Sequence, residues 1–161
     1  MKFGLIAGVL VIGLAGFFAR HLGYFHRGAT SVNARFDYWR AAVQTTKEHP
    51  ILGTGPGTFF IAYERVRNTN SEPARLTHND YLEQASDSGI PGLLLYAGFV
   101  VGSLAWIARR KDFLSDWRNF AIWLGVLGWA LQSLVEFALY IPALSWSAFA
   151  FLGLMVGKAK S

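Results

Sequence analysis

The stretch Ile90-Pro91-Gly92-Leu93-Leu94-Leu95-Tyr96-Ala97-Gly98-Phe99-Val100-Val101-Gly102-Ser103-Leu104-Ala105-Trp106-Ile107-Ala108 carries no formal charge, and Arg109-Arg110-Lys111 closes it abruptly. A helix that crosses a bilayer needs about 20 predominantly apolar residues, with about 17 as the lower bound. This run meets that length. Outward from it lie two more: Phe3 to Ala19 is uncharged, and from Phe120 to Gly157 the only formal charge is Glu136. The last run is long enough for two short helices that meet near Tyr140-Ile141-Pro142. The pattern predicts an all-α integral membrane protein with about four transmembrane helices. They are expected at residues 3–19, 90–108, 120–139 and 142–157. A large, mostly helical exterior loop, residues 20–88, joins the first two, and residues 109–119 form a short loop on the other side.

Composition supports this class. Hydrophobic residues make up 53% of the 161 and charged residues 16%, against about 25% charged in an ordinary globular chain. Mean hydropathy is +0.30. These values argue against a typical soluble domain and against disorder. The absence of cysteine excludes a disulfide scaffold, a Cys-ligated zinc site and a thiol nucleophile. The net charge of +5 raises the question of nucleic acid, and its distribution answers it. Between Arg20 and Asp87 eight Lys/Arg face seven Asp/Glu, so that segment is nearly neutral, and it holds all four His. The excess basic residues are Lys2, Arg109, Arg110, Lys111, Arg118, Lys158 and Lys160. With four crossings all of them fall on one side, which the positive-inside rule makes cytoplasmic. The loop then faces outward. A Met-Lys start before an apolar stretch also resembles a secretory signal. Phe17-Phe18-Ala19-Arg20 is a poor cleavage site, and either reading puts the loop outside.

Within the loop, residues 33–48 read as an amphipathic helix. Phe36, Trp39 and Val43 recur at helical spacing, Asn33 is a candidate cap and Pro50 marks the end. Gly53-Thr54-Gly55-Pro56-Gly57 reads as a turn. A short helix from Phe59 to Arg67 would place Phe60 and Tyr63 on one face, and Asn68 to Pro73 reads as a polar tip. Thr77 with Asp80 resembles a capping box for a helix that stops at Gly89. His78 would sit in its first turn, about 15–18 Å along the axis from the second span.

Three pieces of this loop carry chemistry in a fixed order. They are Ala34-Arg35-Phe36-Asp37-Tyr38-Trp39-Arg40, then His49-Pro50-Ile51-Leu52-Gly53-Thr54-Gly55-Pro56-Gly57-Thr58-Phe59, then Thr77-His78-Asn79-Asp80-Tyr81-Leu82-Glu83 with Gly89-Ile90-Pro91-Gly92. In order and spacing they resemble the O-antigen ligase and O-antigen polymerase superfamily of bacterial membrane glycosyltransferases. Ser133-Leu134-Val135-Glu136-Phe137 is similar to the family's penultimate span, where an acidic residue followed by Phe is usual.

The resemblance implies a partial GT-C-like ligase fold in the bacterial inner membrane with the loop in the periplasm. It implies transfer of a glycan from undecaprenyl diphosphate to an acceptor hydroxyl, which belongs to a glycan, a lipid or a protein. No metal, nucleotide or other cofactor is implied. His78 matches the histidine expected to act as general base, and Arg35 the arginine expected to hold the diphosphate. The chemistry of these side chains agrees. A guanidinium pairs well with a diphosphate, and imidazole titrates near the pH at which a hydroxyl proton must be taken. Arg40 lies near the same motif, at one remove from the ligand. Arg75, three residues before His78, is within reach of the same anion. Glu136 is a functional candidate as an ionisable residue inside a span, or else the partner of a loop arginine.

Other features have plainer readings. His21, His26, His49 and His78 match no compact metal-ligand spacing. His49 reads as a helix C-terminal cap. The glycine run lacks the Lys-Ser/Thr ending of a phosphate loop, which leaves a turn between helices. Tyr63 and Glu83 read as sugar contacts or as surface positions. Family members carry many more spans, so the chain corresponds to their C-terminal portion and is expected to need a separately encoded or upstream membrane half. The alternative is a non-catalytic membrane fragment or scaffold.

Overall fold

The structure is a computed structural model that describes residues 8, 11–16, 30–67, 71 and 73–160. The chain forms two compact units, Met1–Ala34 and Arg35–Ser161. In the first unit, residues 8 and 11–16 are helical. The rest of the expected first span lies outside the described residues, as do His21, His26 and residues 68–70 and 72 of the polar tip.

All regular structure among the described residues is helical. The helices are α1 (Thr30–Glu48), α2 (Phe59–Val66), α3 (Asp80–Ala108), α4 (Lys111–Ser115), α5 (Trp117–Gln132) and α6 (Pro142–Lys160), with one 3₁₀ turn at Ala138–Tyr140. Among the described residues one helix, Asp80–Ala108, is long and apolar enough to cross a membrane by length and composition.

Local chemistry sets these boundaries. Asn79 opens α3 by accepting the Leu82 N–H on its side chain at 3.0 Å, so the cap is Asn79 and not Thr77. His78 therefore precedes the helix. Asp116 caps α5 in the same way by accepting from Arg118 N–H at 2.8 Å. Pro142 starts α6, where its fixed φ is an advantage and its missing N–H costs nothing. α1 begins at Thr30, which places Asn33 inside the helix and removes its role as a cap.

Gly89 interrupts α3 with φ +69° and ψ −172°, backbone angles that favour glycine. The chain reverses there. A Cβ on Gly92 would lie 3.5 Å from the Gln84 carbonyl oxygen, and the Tyr81 and Tyr96 rings are 5.3 Å apart. Residues 80–88 thus fold back along the first turns of Ile90–Ala108. The distance expected for a straight helix between His78 and the second span does not apply.

The apolar core draws on α3 after Gly89, α5, the 3₁₀ turn and α6. Val100, Leu104, Ile107, Val126, Trp129, Ala138, Leu152 and Met155 are buried together. The Trp123 indole N–H reaches the Leu104 carbonyl at 3.1 Å and ties α5 to α3. The outward faces are equally apolar: Leu94, Leu95, Phe99, Leu131, Trp146 and Leu154 are exposed. Helices that are hydrophobic all round suit lipid, where close packing rather than water exclusion holds them together. The segment 120–139, expected as one helix, is helical only to Gln132. Residues 133–137 form a turn, so Glu136 lies in irregular backbone beyond α5.

In the loop, helical periodicity located the elements and misjudged their faces. α1 buries Tyr38, Ala41, Ala42 and Thr45, whereas Phe36 and Val43 point outward at 58% and 40% exposure. α2 buries Phe59 and Tyr63, which stack at 5.6 Å, and exposes Phe60.

Candidate functional site

The glycine segment between α1 and α2 is a bracket. The Thr54 N–H donates to the Ser86 carbonyl at 3.0 Å and the Gly55 N–H to the Asp87 carbonyl at 2.9 Å. The Gly57 N–H donates to Asp87 Oδ2 at 2.7 Å. The first two bonds satisfy C-terminal carbonyls of residues 80–88, and the third goes to the Asp87 carboxylate. They also occupy the very N–H groups that a phosphate cradle would need, so the turn reading fits. At Gly53, φ is +65° and an added Cβ would stand 2.4 Å from the Asp87 carbonyl. Only glycine allows that approach. His49 closes the preceding turn through its backbone, with its carbonyl accepting the Gly53 N–H at 3.0 Å. Its side chain is exposed and lines a cavity of about 190 Å³ with Thr45, Thr54 and Arg65.

At the other end of residues 80–88 the chain is held just as firmly. The Thr77 N–H donates to buried Glu83 Oε2 at 2.7 Å. The Asn79 side-chain amide donates to the Leu134 carbonyl at 2.8 Å. The Asp80 N–H donates to the Ser133 carbonyl and its Oδ2 accepts the Leu139 N–H, both at 2.8 Å. His78 sits amid these anchors with φ +53°. A left-handed conformation costs a non-glycine residue about 1–2 kcal/mol, and such strain persists only where the surroundings over-determine it.

The consequence is a three-residue cluster. His78 Nδ1 lies 3.3 Å from Glu136 Oε2. The other Glu136 oxygen, Oε1, accepts from the Arg35 guanidinium. One carboxylate therefore bridges Arg35 of α1 and His78 before α3. All three side chains are about one-quarter to one-third exposed, at 26%, 30% and 34% for Arg35, His78 and Glu136. The imidazole is gripped by rings: Tyr38 stacks at 5.9 Å and Phe137 meets it edge-on at 4.7 Å. Tyr38 is in turn held edge-on by Tyr63 at 5.2 Å. Tyr63 and Glu83 are both buried, so the surface position that was one of the two readings for each does not hold. Burial also pushes the Tyr63 hydroxyl above its usual range.

Arg35, His78 and Glu136 thus come together from 101 residues of sequence separation at the widest. Arg40 and Arg75 do not join them. Arg40 is exposed and pairs with Asp37 at 2.6 Å, one helical turn away. Asp37 also accepts from Ser71, whose carbonyl takes a bond from Arg67. Arg75 is exposed. The sequence reading missed Tyr38 and Phe137, although both stand beside residues it had singled out. Among the described residues no group of three or more His, Cys, Asp or Glu could hold a metal ion.

Chemically the cluster couples a base to a cation through one anion. In the tautomer that donates Nδ1–H to Glu136, the His78 Nε2 is left as an acceptor. A carboxylate in that position orients the imidazole and stabilises it once protonated. A guanidinium bonded to the same carboxylate suits a departing phosphate.

Comparison with known proteins adds the family. A family model described as O-antigen ligase matches residues 1–97. The match takes in Arg35 and His78, and Glu136 lies beyond it. No curated protein matches the chain.

Proposed function

The chain belongs to the O-antigen ligase family, and from that premise we propose that it takes part in membrane glycan transfer, with undecaprenyl diphosphate as the glycan carrier and an acceptor hydroxyl as the nucleophile. The observation that carries this reading is the single Glu136 carboxylate bonded to both Arg35 and His78. His78 Nε2 takes the acceptor proton as the oxygen attacks the anomeric carbon. The bond to the carrier diphosphate breaks, and Arg35 stabilises the charge left on it. Glu136 fixes the tautomer of one group and the position of the other. The reading places the cluster at the outer face of a multi-pass protein in the bacterial inner membrane, with residues 20–88 in the periplasm. Arg75, exposed and three residues before His78, is a second candidate for the diphosphate. Arg40, exposed and paired with Asp37, stands apart from the cluster.

The same ion pair also suits a scaffold, in which Arg35 and Glu136 only hold α1 to the end of α5. The experiment separates the two readings. Membranes that carry the chain, together with any in-frame upstream spans, are assayed for transfer of a labelled glycan from undecaprenyl diphosphate. Loss of transfer in His78→Ala with normal membrane insertion supports the catalytic reading. Transfer at the wild-type rate in that variant removes it.

A further inference from the structure

We propose that the turn Pro50–Leu52 is an interfacial anchor, with Ile51 and Leu52 inserted at the boundary of headgroups and acyl chains beside the start of the Ile90–Ala108 helix. The proposal rests on reading that helix as a membrane span, as in the section above. Ile51 is 70% exposed and Leu52 82%, the highest value among the exposed large hydrophobic residues described. No charge accompanies them in Pro50-Ile51-Leu52-Gly53.

The turn cannot refold to hide these side chains. The Gly53 N–H is bonded to the His49 carbonyl at 3.0 Å and the Thr54 N–H to the Ser86 carbonyl at 3.0 Å. Gly89 packs so closely that a Cβ there would lie 2.5 Å from the Ile51 carbonyl oxygen. A rigid turn that displays two aliphatic side chains is matched to an apolar neighbour outside the fold.

Its position identifies that neighbour as lipid. The Pro50 carbonyl accepts the Ile90 N–H at 2.8 Å, so the turn stands on the first residue of the apolar run. From Ile90 to Ala108 a helix rises about 28 Å, and the hydrocarbon layer is about 30 Å thick. Ile90 therefore marks the edge of the hydrocarbon, and the turn lies at headgroup level. The apolar surface also runs on without a break in kind: Ile90, Leu94 and Leu95 are 46%, 64% and 76% exposed. Seated there, the turn fixes the bracket that holds residues 80–88 against the start of the Ile90–Ala108 helix.

The chain has no cysteine, so single-cysteine labelling is direct. Leu52→Cys, Leu95→Cys and Glu64→Cys are each labelled with an environment-sensitive fluorophore. Each full chain is reconstituted in vesicles of phosphatidylethanolamine and phosphatidylglycerol that carry doxyl groups at a shallow or a deep acyl position. The Leu52 probe is expected to shift to the blue relative to Glu64, to lose quenching by aqueous iodide and to be quenched more by shallow than by deep doxyl. The Leu95 probe is expected to be quenched most by deep doxyl. A Leu52 probe that behaves like Glu64, beside a lipid-quenched Leu95 probe, overturns the anchor and leaves the span standing. A Leu52 probe shielded from iodide but quenched by neither doxyl lipid means that protein covers the turn, which also overturns it. Iodide access to the Leu95 probe overturns the span and the anchor together.

Discussion

At the residue scale, Glu136 is the side chain on which the others depend. Its two oxygens hold Arg35 and His78, so its removal should leave both groups present without the bond that couples them. Glu136→Gln keeps the volume and loses the charge, and should lower the turnover number and alter its pH profile while leaving insertion intact. A pH profile unchanged from the wild type would deny it the orienting role. His78→Ala should reduce the turnover number by about 10²–10⁴-fold, the usual worth of a general base. Arg35→Lys should lose about 10²–10³-fold, because a point charge cannot reproduce the fork of donors on a developing anion. Equal rates for Lys and Arg would remove the diphosphate role. Glu83 acts one step back, since its buried carboxylate fixes the Thr77 N–H next to His78. Glu83→Ala leaves that donor without a partner, at about 1–3 kcal/mol. It should lower the thermal midpoint in detergent more than Glu83→Gln does, because Gln still offers an oxygen.

At the element scale, the reversal at Gly89 and the glycine bracket opposite it form one joint. Gly89→Ala brings a Cβ to 2.5 Å from the Ile51 carbonyl oxygen and 2.7 Å from that of Pro50, at φ +69°. The left-handed backbone alone costs about 1–2 kcal/mol, and the overlap adds to it, so a clear drop in thermal midpoint is expected. Gly102→Ala is the control. An added Cβ there meets nothing within 4 Å, and the midpoint should hold or rise. Sequence reading placed a helix stop at Gly89 and a turn at residues 53–57, because glycines and a following proline are local signals, but it ran the chain straight from Gly89 into the next helix. It did not find the buried faces of α1 and α2. Periodicity reports that Phe36, Trp39 and Val43 share a side, but not whether that side meets protein. Tyr38, Ala41 and Thr45 share the opposite side, and the contacts of Tyr38 with Tyr63 and His78 settle the matter.

At the scale of the whole molecule, the prediction concerns sidedness. The basic residues Arg109, Arg110 and Arg118 flank one end of the apolar helices, and the Arg35–Glu136–His78 cluster lies at the other. A cysteine in place of Glu64 should react with an impermeant thiol reagent applied to intact cells whose outer membrane has been permeabilised. A cysteine in place of Arg118 should react only after lysis. The reverse pattern would overturn the orientation. Asn70, at the polar tip of the loop, would make the same test, and it lies outside the described residues.

The sequence by itself determined the all-helical class, the order of the motifs and the family. Those properties are local: runs of uncharged residues, glycines at turns, and a histidine and an arginine in recognisable surroundings. It also named Arg35, His78 and Glu136 separately. Only the tertiary structure decided that the three meet. Their contact depends on where α5 ends, and a run of apolar residues does not say at which one the helix stops. Gln132 ends it, the Ser133 carbonyl takes the Asp80 N–H, and Glu136 leaves the helix to face the loop. Arg40 pairs instead with Asp37 on its own helix, and Arg75 stays exposed. Spacing along a chain sets which residues share an element, whereas the bonds between elements set which residues share a site.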